Sequence, residues 1–341
     1  MTEINYLVCT HCFTYNQAEY IRDCLDGFCI QQTSFPVVYI VMDDASIDDE
    51  QDIICDYFNE HFELKLPWYR NEETSDYVMM FAQHKNNPNC FFAIYLLKYN
   101  HFGKKSKLPY IKGWDDGAKY IALCEGDDYW IAPDKLQKQV DYLEIHPDCT
   151  AVFSNIIIRD EKVSPIKEHP KTYLKKNIYS LKDVYRGLLF NINCICVRID
   201  VINHLVDLAS VKSNGDFKYS YLAAKYGYVY KFEDYFSVYR RTGKGMSSQW
   251  GAKEQFIHSI QEWTAFHRQL GYPDKTSLAI FQTKQINGYL FGTHFKNLPY
   301  TEIKDDLLSE RWYVYIVYFV KYFSHSIMNV FRKRICKRDI F

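Results

Sequence analysis

One order of elements recurs along the chain and constrains its fold: an apolar run, a polar cluster, and a stretch with helical spacing. The first run, Tyr6 to Phe13, ends at Thr14-Tyr15-Asn16 and precedes a periodic stretch from Ala18 to Gln31. A second run, the β-branched Val37 to Met42, ends at Asp43-Asp44-Ala45-Ser46. Such runs are typical of strands covered on both faces. Their alternation with helices predicts a parallel sheet, with ligands beyond the carboxyl ends of the strands.

The same order returns near the middle of the chain. Lys119 to Cys124 is an apolar run that leads directly into Glu125-Gly126-Asp127-Asp128-Tyr129-Trp130. Pro133 and Asp134 then open a helix, as both residue types favour helix starts. By contrast, 71–116 has no steady period, and we interpret it as a long loop region with room for one helix.

The remaining elements are predicted from periodicity and from Gly and Pro positions. They are a helix over 48–62, strands over 150–154 and 194–197, helices over 181–189 and 216–226, a strand over 229–232 followed by the segment 236–241, and helices only from residue 254 onward. A chain of 341 residues accommodates one large α/β domain and an appendage.

Charge and cysteine usage limit the classes of protein. The formal net charge of -1 provides no general attraction to nucleic acid, and we expect no nucleic-acid partner. The eleven cysteines have no repeating spacing, and no signal-peptide pattern follows Met1, which favours reduced thiols in the cytoplasm. Cys9 and Cys12 form a Cys-x-x-Cys within the first apolar run. Because no second pair stands at zinc-ribbon spacing, we interpret them as buried structural cysteines.

Asp127 and Asp128 are the strongest local signal of chemistry. They follow a buried strand directly, where carboxylates could hold Mg²⁺ or Mn²⁺ beside a bound diphosphate. Adjacent acids at such a place also serve as helix caps, and the pair alone would favour that structural role.

Compatible residues stand at the two other strand ends. Tyr15 could stack on a planar base, and Asp43 or Asp44 could accept hydrogen bonds from a base or a ribose hydroxyl. A turn or a helix cap remains the alternative for either aspartate.

Asp216 is the candidate general base. It follows Gly215 at a predicted helix start, and glycine allows the backbone to approach a ligand closely. A simple N-cap is an equally good interpretation of the pattern.

The motifs together resemble those of bacterial family 2 glycosyltransferases of the GT-A fold. The resemblance is carried by Thr14-Tyr15-Asn16, by Asp43-Asp44-x-Ser46, and by Glu125 to Trp130 with Lys135-Leu136-Gln137-Lys138-Gln139. It covers roughly residues 4 to 250 and is most specific over 119–143.

The resemblance implies a Rossmann-like mixed sheet flanked by helices, with a C-terminal helical extension. It implies a nucleotide-diphospho-sugar donor, with UDP the leading nucleotide, Mn²⁺ or Mg²⁺ as cofactor, and inversion by direct displacement. The implied nucleotide contacts are Thr14, Tyr15, Asn16, Asp43, Asp44, Ser46 and Asp127. Asp128, with Asp127, would hold the metal, and Asp216 would act as the base.

We expect a catalytic domain over 1–250, with a donor half to 155 and an acceptor half from 156, and a helical extension over 251–341. The chain departs from the family pattern at Phe13 (often Pro), at Ala45 (often Gly) and at Thr242, near a position that is often His.

Cations near these motifs are candidates for phosphate contact. Arg240, Arg241 and Lys244 are suited to diphosphate oxygens, although each would more often be a solvated surface charge. Lys104, Lys105 and Lys107 are likewise candidates for contact with the donor phosphates, although lysines in such loops are more often solvated.

An aromatic run over 312–323 and a basic cluster over 332–338 predict a helix at 311–338 that lies on a membrane surface. The run is too short to span a bilayer. A helix docked on the catalytic domain is the equal alternative. Surface binding would suit a cytoplasmic enzyme on the inner face of the cell membrane, acting on a glycan or lipid-linked saccharide.

Two other functions compete. A nucleotidyltransferase also needs paired acids, but it would carry a Gly-rich basic loop after the first strand, where this chain has Phe13 to Asn16. A non-catalytic, membrane-associated assembly protein could retain the fold without turnover.

Overall fold

The computed structural model describes residues 4–66, 69–172, 176–187, 190–208, 211, 215–243, 250–293, 298–308, 311–313 and 315–316. The chain divides into two compact units that interleave in sequence. The first unit contains Met1–Ser180, Phe190–Leu205 and Leu222–Gly243, and the second contains Leu181–Leu189, Val206–Tyr221 and Lys244–Phe341. The division into donor half, acceptor half and extension remains a prediction about function.

The described strands of the first unit form one sheet. They are β1 (Val8–Thr14), β2 (Val37–Asp43), β3 (Phe62–Glu63), β4 (Arg70–Glu73), β5 (Tyr77–His84), β6 (Cys90–Leu97), β7 (Tyr120–Leu123), β8 (Tyr129–Trp130), β9 (Cys149–Asp160), β10 (Lys167–Lys171), β11 (Ile178–Tyr179), β12 (Cys196–Arg198) and β13 (Tyr228–Arg241). The main strand order is β11-β13-β9-β12-β7-β1-β2-β6-β5-β3. Three short strands lie outside this order: β4 pairs with β5, β8 pairs with β13, and β10 pairs with β9.

The described helices follow the predicted alternation. They are α1 (Ile21–Cys29), α2 (Glu50–His61), α3 (Leu108–Asp115), α4 (Lys135–Ile145), α5 (Leu181–Tyr185), α6 (Ile199–Ile202), α7 (Gly215–Tyr226), α8 (Ala252–Gln269), α9 (Lys275–Gly292) and α10 (Tyr300–Ile303). The boundary between the two units falls within α7.

The centre of the sheet confirms the parallel arrangement expected from the apolar runs. β1 pairs in parallel with β2 and with β7, and β2 pairs in parallel with β6. Every residue of β2 and of β6 is buried, as expected of strands covered on both faces. Antiparallel pairs around β12 and β5 make the whole sheet mixed.

The interpretation of 71–116 as a loop region is wrong. This part of the chain contains most of β4, all of β5 and β6, and α3. β5 and β6 pair antiparallel, and β6 is a continuous apolar segment at the interior of the sheet. The turn over 85–89 is rich in Asn and Lys, so a window spanning both strands averages the strand signal away.

Three further predictions needed adjustment. The strand predicted over 150–154 extends to Asp160 in β9. The segments 229–232 and 236–241 form one strand, β13, whose register with β9 shifts around Tyr235. The strand predicted over 194–197 begins with a 3₁₀ turn at Ile192–Cys194 before β12.

The Lys135-to-Gln139 motif has a structural role in the first unit. The Lys135 side chain is buried, with its ammonium 3.8 Å from the centroid of the Trp130 ring and 2.8 Å from Gln139 Oε1. Gln139 Nε2 donates to the Cys194 carbonyl over 2.8 Å. Burial lowers the pKa of Lys135 to about 8. The motif therefore joins α4 to β8 and to the 3₁₀ turn before β12.

The second unit is helical in its described part. Trp263 of α8 is buried and packs edge-on against Phe217, with ring centroids 4.4 Å apart. Phe256 of α8 stacks on Tyr289 of α9 at 4.6 Å. Residues 314 and 317–341, with most of the predicted membrane-surface helix, lie outside the described residues. Among the helices that are described, none has the length and apolarity needed to span a membrane.

Candidate active site

Three strand ends meet at one edge of the sheet. Thr14 ends β1 in register with Asp43, which ends β2, and the Asp44 N–H donates to the Thr14 carbonyl over 3.0 Å. Gly126 follows β7 closely, and a Cβ at this position would lie 2.2 Å from Thr14 Oγ1. Glycine is therefore required for the Asp127–Asp128 turn to approach the end of β1.

The residues after β1 bind the loop that follows β2. Asn16 has a φ of 55°, in the left-handed region that asparagine tolerates. Its N–H donates to Ser46 Oγ over 2.8 Å, and its Oδ1 accepts from the Ile47 N–H over 2.9 Å. Tyr15 is 42% exposed, so its ring is accessible to a planar ligand. Asn16 thus joins the loop that contains Tyr15 to the loop that follows β2.

Asp43 is fully buried, and its carboxylate is used inside the protein. Asp43 Oδ1 accepts from the Ser46 N–H over 3.0 Å, and Oδ2 accepts from the Ser46 hydroxyl. Gln51 Nε2 also donates to Oδ1. Ala45, inside this turn, has a φ of 62°, which explains why glycine suits the position in the family that the motif resembles. Asp43 therefore closes the turn after β2.

Asp44 is likewise buried and compensated. Its Oδ1 accepts from the His101 N–H over 2.7 Å, and Lys107 Nζ lies 2.8 Å from Oδ2. Asn100 Nδ2 donates to its backbone carbonyl over 3.1 Å. Lys107, one of the lysines considered for phosphate contact, thus neutralises Asp44 in this structure. Lys105 pairs with Asp76 instead.

Glu50 is a central residue that the sequence analysis missed. Its buried carboxylate accepts hydrogen bonds from Thr14 Oγ1 and from the Gln17 N–H over 2.8 Å. Ser46 Oγ, whose one proton is shared between Asp43 and Glu50, lies 2.8 Å from Glu50 Oε2. Burial raises the pKa of Glu50, and these hydrogen bonds oppose the rise. A glutamate in the first turn of α2 is an ordinary helix-start residue, so its sequence position carried no functional signal.

The carboxylates of Asp127 and Asp128 receive fewer hydrogen bonds and ion pairs from the described residues than those of Asp43 and Asp44, the first acidic pair. Among the described residues, one hydrogen bond from another residue reaches their carboxylates, from the Arg240 N–H to Asp128 Oδ1 at 2.8 Å. Burial raises the pKa of Asp127, and burial together with the neighbouring charge of Asp127 raises the pKa of Asp128 well above its ordinary value. Asp128 is buried and Asp127 is half-buried, so the ionised form of each carboxyl group is disfavoured unless a cation lies beside it.

Arg240 holds this turn from β13. Its guanidinium pairs with Asp23 and lies 3.2 Å from Glu161 Oε1, and its Nη1 donates to the Asp127 carbonyl over 3.1 Å. The ring of Tyr129 lies 4.5 Å from the guanidinium carbon. The side chain is buried, so its cation is already engaged by protein groups. Its suggested contact with phosphate stays a prediction.

The other predicted site residues are placed as follows. Arg241 is exposed at the end of β13. Lys244 lies outside the described residues. Asp216 is half-buried in the first turn of α7, within the second unit. Its role as general base remains a prediction.

The Asp127–Asp128 pair fits a hard divalent cation. Its ligand atoms are carboxylate oxygens, the type that Mg²⁺ and Mn²⁺ prefer, and one or two carboxylates suffice when substrate phosphates supply further oxygens. The raised pKa values of both acids indicate charge that the protein itself leaves uncompensated. A cation would remove that cost.

Comparison with solved structures assigns the fold. S. aureus TarS 1-349, crystallised with UDP-GlcNAc, superposes with a TM-score of 0.52 at 15% identity over 87% of this chain and 82% of that one. Mannosyltransferase PcManGT from Pyrobaculum calidifontis, in complex with GDP-Man and Mn²⁺, gives a TM-score of 0.50 at 12% identity over 96% and 88%. The chain therefore has the mixed α/β fold of GT-A glycosyltransferases, as expected.

Comparison of sequences reaches half of the chain. An uncharacterized protein of Mycobacterium tuberculosis, Rv1520, is 36% identical over 165 residues, which is 48% of this chain and 39% of the relative. An uncharacterized protein of Mycobacterium bovis, Mb1547, matches to the same extent. The match thus spans about two fifths of the curated relatives' length. No family model matches the chain.

Proposed function

We propose that the protein is a metal-assisted glycosyltransferase that takes its sugar from a nucleotide-diphospho-sugar. The observation that carries this proposal is the Asp127–Asp128 pair, half-buried at Asp127 and buried at Asp128, which receives one hydrogen bond from another of the described residues and lies beside the ends of β1 and β2 in a GT-A fold. The complexes of the two structural neighbours with UDP-GlcNAc and with GDP-Man and Mn²⁺ support the same class of donor. By resemblance of motifs, UDP is the proposed nucleotide, and the enzyme is of the inverting family 2 type.

The residues around Tyr15 form the proposed nucleotide subsite. Tyr15 offers an exposed ring for stacking, while Asp44 is held at the strand end by Lys107 and the His101 N–H. Thr14, Asn16, Asp43 and Ser46 position these groups through the hydrogen bonds described above. Their role is to keep the subsite rigid, which reduces the entropy lost when a nucleotide binds.

Asp127 and Asp128 would hold Mn²⁺ or Mg²⁺. When bound, such an ion neutralises charge that develops on a leaving diphosphate. Arg240 is a positioning residue here, since its N–H fixes one oxygen of Asp128 and its guanidinium anchors the Asp127 carbonyl. Within the part of the chain that the structure describes, no other residue donates a hydrogen bond to the remaining oxygens of the pair, which would serve as ligands of the ion.

Asp216 is the proposed general base. An acceptor hydroxyl loses its proton as its oxygen attacks the anomeric carbon, and a carboxylate is a suitable proton acceptor. The proposed acceptor is a glycan or a lipid-linked saccharide at the cytoplasmic face of a bacterial membrane. This acceptor class rests on the motif resemblance and on the aromatic and basic composition of the C-terminal region.

Nucleotide titration tests the donor site. UDP, GDP and dTDP would be titrated calorimetrically into the protein with and without Mn²⁺. We expect binding of one nucleotide that depends on the ion and is lost in Asp128→Asn. Asp116→Asn, which alters an exposed acid paired with Lys112, is the matched control and should bind normally. Failure of all three nucleotides to bind would favour the non-catalytic assembly protein.

A second variant tests the base. Asp216→Asn should bind the donor as the unmodified protein does and lose transfer to the acceptor, because only the proton acceptor is removed. Full transfer activity in Asp216→Asn would overturn the assignment of the base while leaving the donor site intact.

A further inference from the structure

A second cluster of metal-ligating side chains lies in the first unit, on β1 and α3. Cys9 and His11 are two residues apart on β1, so their side chains point to the same face of the sheet. Asp115 is the last residue of α3. Ligand atoms of the three side chains all lie within 4.8 Å of one another. His11 Nε2 and Asp115 Oδ1 are 2.7 Å apart.

The cluster is different from the Cys-x-x-Cys that the sequence displays. Cys12 lies three residues after Cys9 and therefore points to the opposite face of β1, where its sulfur is 3.8 Å from that of Cys24. The alternation of the strand thus separates the two cysteines of the motif. It pairs Cys9 with His11, a combination that the sequence analysis did not consider.

Burial and charge favour a cation in this cluster. Cys9 and His11 are almost fully buried, and the Asp115 side chain is 15% exposed. Burial, followed by the charge of Asp115, raises the pKa of the Cys9 thiol well above its ordinary value. A thiolate and a carboxylate would together balance the two charges of a divalent ion, which satisfies the rule that buried charges are paired.

We propose that Cys9, His11 and Asp115 bind a thiophilic divalent ion such as Zn²⁺, at a site separate from the Asp127–Asp128 pair. Sulfur and imidazole nitrogen suit Zn²⁺, whereas Mg²⁺ and Mn²⁺ prefer the oxygens of the aspartate pair. On binding, the Cys9 S–H bond breaks, a sulfur–metal bond forms, and the proton passes to solvent. No electron is transferred.

The proposed ion would fasten α3 to the central strand. Lys107 directly precedes α3 and pairs with Asp44 over 2.8 Å, while Asp115 at the other end of the helix would share the ion with β1. Both ends of this short helix would then be tied to the strands that carry the candidate active site. The ion is thus structural in role, and it would hold Lys107 in position.

Cobalt spectroscopy tests the site separately from the proposed donor site. Metal-free Asp127→Asn/Asp128→Asn protein would be titrated with Co²⁺, which displays a thiolate-to-metal absorption only when sulfur is a ligand. We expect this band to saturate at one equivalent and to disappear when Zn²⁺ is added. In the same background, Cys9→Ala should abolish the band, and Asp115→Asn should weaken Co²⁺ binding about 10-fold or more.

Cys12→Ala is the matched control, because it removes a buried thiol from the opposite face of the same strand and should leave the band unchanged. Circular dichroism would verify that each variant is folded. If Cys9→Ala does not fold, the partly exposed Asp115→Asn decides the question. A folded parent protein without the band, a band that persists in Cys9→Ala, or an unchanged Co²⁺ affinity in Asp115→Asn would overturn the proposal.

Discussion

Asp43–Asp44 and Asp127–Asp128 are both adjacent acids at the carboxyl end of a parallel strand, yet the protein compensates their charges differently. The first pair receives hydrogen bonds from Ser46, Gln51 and the His101 N–H, as well as an ion pair with Lys107. Among the described residues, the second pair receives one hydrogen bond from another residue and has raised pKa values. The carboxylates of the first pair are thus satisfied by the loops around them, whereas the second pair, the proposed cation site, has few partners among the described residues.

The largest expected effect separates the two pairs by function. Asp128→Asn should lower the rate of sugar transfer about 1,000-fold and abolish ion-dependent nucleotide binding, because it removes a negatively charged ligand of the proposed cation. The metal-free variant should be at least as stable as the parent, since a buried like charge is gone. Steady-state transfer assays and thermal unfolding would measure both. If Asp128→Asn were inactive and also strongly destabilised, Asp128 would have a structural role like that of Asp43 and Asp44, and the proposed difference between the two pairs would be wrong.

The next largest effect concerns Glu50, whose carboxylate contacts the loops around Asp43 and Asp44. Glu50→Ala should lower the free energy of unfolding by about 3 kcal/mol, because it leaves the Gln17 N–H without its acceptor and removes the buried carboxylate that contacts Thr14 and Ser46. Urea unfolding measures this change. Glu60→Ala, at an exposed position of the same helix, serves as the control. An equal loss in both variants would mean that Glu50 does not anchor the loops.

A pH series sharpens the comparison further. The folded protein binds a proton at Asp128 more tightly than the unfolded chain does, so stability in the absence of metal should fall as pH rises through the raised pKa of Asp128. Mn²⁺ should oppose this fall, with a stabilisation that grows toward higher pH. Melting temperatures between about pH 5 and 8, with and without Mn²⁺, would measure it. The slope should be smaller in Asp128→Asn; an unchanged slope would assign it to other groups, such as Glu50.

The smallest effect probes the turn around the first pair. Ala45→Gly should raise the free energy of unfolding by about 0.5 kcal/mol, because glycine relieves a left-handed backbone but adds freedom to the unfolded chain. Chemical unfolding would detect the gain, and nucleotide affinity should change little. Gly103→Ala, also at a positive φ and with no atoms near the added methyl group, should change stability in the opposite direction. A destabilised Ala45→Gly would contradict the strain inferred for this turn.

The success of prediction varied with the local pattern. β1, β2 and β7 are apolar runs that end at polar clusters, and their predicted positions are confirmed within one or two residues. β5 and β6 were missed, since a turn of Asn and Lys interrupts them and their pairing is a contact within the folded sheet. Glu50 was missed for a related reason. A buried acceptor and an exposed helix-start glutamate are identical in sequence.

The sequence by itself determined the alternation of strands and helices, and with it the meeting of three polar clusters at one edge of a parallel sheet. Periodicity and strand polarity suffice for that inference, because both are local properties of the chain. Only the tertiary structure decided how each acid is compensated. Lys107 reaches Asp44, and Arg240 reaches Asp128, across more than 60 and 110 residues of chain respectively. Likewise, Asp115 joins Cys9 and His11 only through the packing of α3 on β1. Charge compensation depends on such distant partners, and no local pattern records them.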